Sequence, residues 1–115
     1  DPYSGKWYID LDASQIPQGT FAEQLIMVHE LYHLHLYLKA GVTKPTSSDN
    51  DDHHRQMVED GIYVEWLKKM FPGHKDAEYE LMKYAGTTLS PVFINESSSK
   101  KKQINTFFLK NSILH

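Results

Sequence analysis

Residues 29–33 read His-Glu-Leu-Tyr-His, and this pentapeptide constrains the fold more than any other stretch of the chain. Two imidazoles four positions apart converge on one point when the backbone between them is an α-helix. They then differ by about 40° around the axis and about 6 Å along it. Glu30 is turned about 100° from His29, near the same point without sharing it. The flanks agree with a helix. Thr20 suits an N-cap, with Glu23 three residues later completing a capping box. No Gly or Pro interrupts Phe21 to Ala40, and Gly41 follows as a C-cap. Phe21, Leu25, Val28, Tyr32 and Leu36 form an apolar stripe at helical spacing. Val28, Leu31, Tyr32 and Leu34, beside the two His, are uncharged, as a helix buried near a cleft requires. The pattern predicts a helix over residues 20–40.

The same pentapeptide is the His-Glu-x-x-His signature of a zinc-hydrolase helix. His29 and His33 would share one ion, and Glu30 would take a proton from a water acidified by it, which suits cleavage of a peptide bond. The bland alternative is an amphipathic helix with two surface His.

A chain of 115 residues fits one domain, read here as residues 1–115, with 97–115 as a flexible tail. It starts at Asp1, which suggests a mature or trimmed piece whose upstream part is missing. A net charge of −3 offers nucleic acid no general attraction. Without Cys the chain can form no disulfide or thiolate site, so a metal must rest on His, Asp or Glu. No apolar run reaches membrane-spanning length. Compartment and oligomeric state stay open, with cytoplasmic and secreted placements both compatible.

Residues 5–12 alternate, with Trp7, Ile9 and Leu11 on one side, which reads as a short strand with one buried face. Residues 41–50 read as a polar loop. A second helix is expected from about Asp51 to Phe71, with Tyr63, Trp66, Leu67 and Met70 on its core face, and Gly61 marking close approach to another helix. A third spans about Asp76 to Ala85. The run Ser97 to Lys102 reads as a solvated loop, followed by an apolar segment, Ile104 to Leu109. The expected class is α+β, mainly helical with a small edge-strand sheet.

A catalytic zinc has three protein ligands and an open position. His35 points away from the metal side, His74 follows a Pro-Gly turn, and His115 is terminal. His53 and His54 remain, 20 and 21 residues after His33. From His54 the positions Met57, Val58, Gly61, Ile62 and Glu65 share one largely apolar or small face. The face from His53 is more polar. This favours His54 as the third ligand, with His53 beside it or on the surface. Tyr63 and Tyr84 are candidates for stabilising an oxyanion. The strand at 6–11 could align an extended substrate by edge pairing.

His29, Glu30 and His33, followed by His54 with Met57, resemble the SprT-like zincin metallopeptidases. Those carry the motif on one helix and a third His about twenty residues on. Small members from Bacteroidetes bacteria and their mobile elements are the nearest in pattern, through His54-Arg55-Gln56-Met57-Val58 and Tyr84-Ala85-Gly86. The resemblance covers about residues 5–95. It implies a zincin-like fold, a Zn²⁺ cofactor and a peptide or protein substrate. The usual His-Gly becomes His53-His54 or His54-Arg55 here, and no Cys-rich ribbon follows, so a DNA-repair role is not implied. The alternative is a zinc-binding domain of this kind that binds a protein partner without catalysis. An intact Glu30 argues against it, and a His-rich domain with no metal is the third reading.

Overall fold

The computed structural model describes residues 19–113. In chain order they form α1 (Phe21–Ala40), α2 (Ser47–Glu59), α3 (Ile62–Met70), α4 (Asp76–Met82), α5 (Pro91–Ile94) and α6 (Ser98–Lys110). The expected α+β class is thereby corrected. Among the described residues every regular element is a helix and there is no strand. The alternating segment 5–12 lies outside them, as does His115. Within residues 19–113 the regular backbone hydrogen bonds close helical turns and not a ladder between strands.

α1 follows its sequence signals. Thr20 Oγ1 accepts from the Glu23 amide at 3.2 Å, and Gly41 closes the helix in a left-handed conformation. Glu23 reaches one residue further back than a capping box requires, accepting from the Gly19 amide at 3.0 Å. Leu25, Val28, Tyr32 and Leu36 are buried, and Phe21 packs at the edge of the same core. His35 is exposed, as expected. No helix among the described residues is long and apolar enough to cross a membrane.

The expected helix 51–71 is two helices. α2 begins four residues earlier, inside the expected loop, because Thr46 caps it. Thr46 Oγ1 accepts from the Asp49 amide at 3.2 Å while Asp49 accepts from the Thr46 amide at 2.9 Å. Its break is Gly61, at φ +78°. That left-handed conformation is cheap only for glycine. A Cβ there would meet nothing within 4 Å, so Gly61 serves a turn and not a close helix contact. The restart rotates the apolar face. Tyr63, Val64 and Leu67 are buried, Trp66 is half-buried, and Met70 faces solvent. Tyr32 of α1 packs against Tyr63 and Trp66, both with ring centroids 4.9 Å away.

α4 is shorter than expected and passes into turns at Lys83–Gly86. Its Tyr79 hydroxyl donates to the Phe71 carbonyl at 2.5 Å, tying it to the end of α3. The Ser/Lys run expected as a loop is the first turn of α6, which packs on α4. Ser97 Oγ caps it by accepting from the Lys100 amide at 3.1 Å. Ile104, Phe107 and Phe108 then anchor the helix in the core. Local polarity resembled a loop because the burial lies two turns further on. Ser97→Ala should therefore lower stability by about 1 kcal/mol in urea denaturation. An unchanged midpoint would count against α6 starting at that cap.

Candidate metal centre

α1 and α2 lie against each other, and α2 also meets α5. Three imidazoles meet where these elements converge. His33 Nε2 lies 3.1 Å from His29 Nε2 and 3.0 Å from His54 Nε2. All three residues are buried, with exposures of 3%, 7% and 4% for His29, His33 and His54. They stand close enough to bind one metal ion. The two motif His and His54 are thus brought together, as the face argument expected. His54 sits in the second turn of α2, not its first, because the helix starts at Ser47.

The protons of this cluster can be counted. The Ser90 hydroxyl donates to Asp51 Oδ1 at 3.2 Å, so Ser90 Oγ is left as an acceptor for His54 Nδ1, 2.5 Å away. His54 then carries its hydrogen on Nδ1 and presents a lone pair at Nε2. His33 Nδ1 meets His53 Nδ1 at 2.9 Å. His53 is therefore no surface residue but a buried partner of His33. With His33 donating there, its Nε2 is also a lone pair. In that tautomer the His33 Nε2 lone pair faces the one on His54, and a shared cation removes the repulsion. In the other tautomer, with His53 donating, the single hydrogen on His33 Nε2 serves only one of its two Nε2 neighbours. The residues present therefore fit a metal.

Burial and mutual proximity keep these rings neutral, the form in which imidazole ligates. Desolvation, reinforced by His54 and His53, lowers His33 to about 3. His54 is lowered to about 4, mainly by desolvation against a smaller opposing effect of Asp51. His29 is lowered well below its ordinary value, by burial first and by His33 and His54 next.

His29 has no hydrogen-bond partner on its buried Nδ1 among the described residues. Packing places it instead. A Cβ on Gly86 would stand 2.9 Å from His29 Cε1 and Nε2, so the backbone of the α4–α5 connection lies directly against the ring. Only a glycine permits that approach.

The three His open on a cleft of about 320 Å³, also lined by Glu30, Tyr37, Asn50, Asp51, Gly86, Thr88, Leu89 and Ser90. Glu30 stands in this wall outside the His trio, and burial raises its carboxyl pKa. Leu89 is 92% exposed at the rim. Tyr63 and Tyr84, the expected oxyanion candidates, are buried in the core and do not line the cleft. His74 is a loop residue stacked on Phe21 and takes no part.

Sequence reasoning missed Gly86, Asp51 and Ser90, and left His53 undecided. One signal was available. Ser90-Pro91 is an N-cap followed by a proline suited to the first helical position, and it marked a helix start behind the metal-facing wall. Comparison with family models, curated proteins and solved structures found no match.

Proposed function

We propose that the chain is a zinc-dependent metallopeptidase of the SprT-like zincin kind, acting on peptide or protein substrates. The observation that carries this reading is the convergence of His29, His33 and His54 on one point in the cleft that Glu30 also lines. Tetrahedral zinc with ligands at about 2.0–2.1 Å needs nitrogens about 3.3 Å apart. The observed 3.1 and 3.0 Å are close to that.

Zinc, when bound, supplies a Lewis acid that acidifies water and polarises a carbonyl. His29, His33 and His54 would hold it through their ring nitrogens. Glu30 takes the proton of the attacking water and returns it to the leaving amine. Its partly desolvated carboxyl suits that exchange, because burial raises its proton affinity. Tyr37, Thr88 and the exposed Leu89 supply polar and apolar contact for the substrate on either side. The presence of a carboxylate beside the trio favours catalysis over partner binding alone, since a binding module needs no base.

The test uses the zinc-loaded chain with a quenched-fluorescent peptide library. Cleavage by the wild type and its loss in Glu30→Gln, by at least about 10²-fold, is the expected result, with zinc content unchanged in the variant. Retained cleavage in Glu30→Gln would sink the mechanism, and absence of cleavage by the loaded wild type across the library would sink the peptidase reading.

A further inference from the structure

His54 is the ligand that comes from outside the motif, and its orientation depends on a residue 36 positions later. Ser90 occupies the N-cap of α5, yet its side chain makes no capping bond there. Its hydroxyl is 2% exposed as a residue and is spent on two other groups. Its oxygen lies 2.5 Å from His54 Nδ1, and the hydroxyl donates to Asp51 Oδ1 at 3.2 Å. Asp51 stands one turn before His54 on α2, so both ends of the chain Asp51–Ser90–His54 belong to one helix and the link comes from another. A serine at a helix start ordinarily caps its own helix. Here that bond is forgone.

We propose that Ser90 and Asp51 are positioning residues that lock His54 in the Nδ1–H tautomer and aim its Nε2 lone pair into the His29–His33 cluster. Its value for metal binding rests on the zinc reading above. The carboxylate is an acceptor only, so it fixes the direction of the serine hydrogen. The serine oxygen can then only accept, and this fixes the imidazole hydrogen on Nδ1. Without Ser90 the ring is free to hold its hydrogen on Nε2, the form that cannot ligate. Partners of this kind are worth about 10–100-fold in metal affinity.

The experiment has two arms on the full chain. In the metal-free protein, ¹⁵N imidazole NMR reports the tautomer. His54 should carry its hydrogen on Nδ1 in the wild type and populate the Nε2–H form in Ser90→Ala. In the metal arm, competition against a chromophoric chelator should show zinc affinity reduced about 10–100-fold in Ser90→Ala and largely restored in Ser90→Thr. The visible spectrum of the Co²⁺-loaded protein should shift in Ser90→Ala and not in Ser90→Thr. Asp51→Ala should weaken zinc by a comparable factor, and the double variant should be little worse than either single one, because both act through one ring. An Nε2–H tautomer in the wild type would overturn the proposal. So would a Ser90→Ala protein with wild-type zinc affinity and Co²⁺ spectrum. Failure of the wild type to take up either metal, with His54 still protonated on Nδ1, would uphold the tautomer lock and overturn the zinc reading instead.

Discussion

Excess zinc is expected to raise the melting temperature of the metal-free chain by roughly 15 °C, and His33→Ala to remove that shift. The direction follows from the cluster itself. His33 Nε2 stands within 3.1 Å of two other Nε2 atoms, so three ring nitrogens are close enough to share one cation. The unfolded chain does not hold the three rings together, so an ion binds the native state by preference. At free zinc about 1,000 times the dissociation constant the stabilisation is about 4 kcal/mol, and each kcal/mol moves the midpoint of a chain this size by about 4 °C. His33 is the residue to remove, because its Nε2 lies within 3.1 Å of both other Nε2 atoms and its Nδ1 meets His53. Calorimetry with and without a chelator, beside zinc content by mass spectrometry, checks the result. About one zinc per chain in the wild type and none in the variant is expected. A melting temperature indifferent to zinc would show that the buried trio is a packing arrangement of neutral rings.

Gly86→Ala is expected to be the most damaging small substitution outside the ligands. The added methyl would lie 2.9 Å from two atoms of the His29 ring. That ring is buried among His33, His54 and the core, and has nowhere to retreat. The position also holds φ at +81°, which an alanine adopts at a cost of about 1–2 kcal/mol. Overpacking adds about 1–3 kcal/mol, so the total loss should be about 2–5 kcal/mol, and zinc affinity should fall with it as His29 is displaced. Gly61→Ala is the internal control. Its φ is +78°, almost the same, but its added Cβ would meet nothing. It should cost only the conformational part and leave zinc affinity unchanged. Urea denaturation and chelator competition on both variants check the pair. Equal losses would mean that backbone conformation, and not contact with His29, sets the cost at Gly86.

The two glycines also show how far sequence reading reaches. Both are visible as helix interruptions in the sequence. Close approach was expected at Gly61 and is found at Gly86, because contact depends on what the fold brings opposite. The Ser/Lys run before Ile104 failed for a related reason. Its residues are polar because they start a helix whose buried turns come later, and only docking on α4 makes that helix profitable to form. The helix expected over 51–71 split because a single positive φ at residue 61 rotates everything after it, which periodicity counted through the break cannot register.

What the amino-acid order determined by itself is local. Thr20, the uninterrupted apolar spacing and Gly41 define α1, and the four-residue step from His29 to His33 puts both rings on one side of it with Glu30 adjacent. These follow from backbone geometry within a few turns. The third histidine of the cluster was half-legible, since the apolar face through Met57 pointed to His54, but its neighbour His53 differs by one residue and about 100° of rotation. Tertiary structure alone decided the rest. It seated α2 so that His54 Nε2 meets the pair while His53 turns to the far nitrogen of His33. It also brought Gly86 and Ser90, from a connection more than thirty residues downstream, against the back of His29 and His54. The physical reason is that a metal centre is a matter of angstroms between side chains on different elements, and those separations are set by core packing, not by sequence spacing.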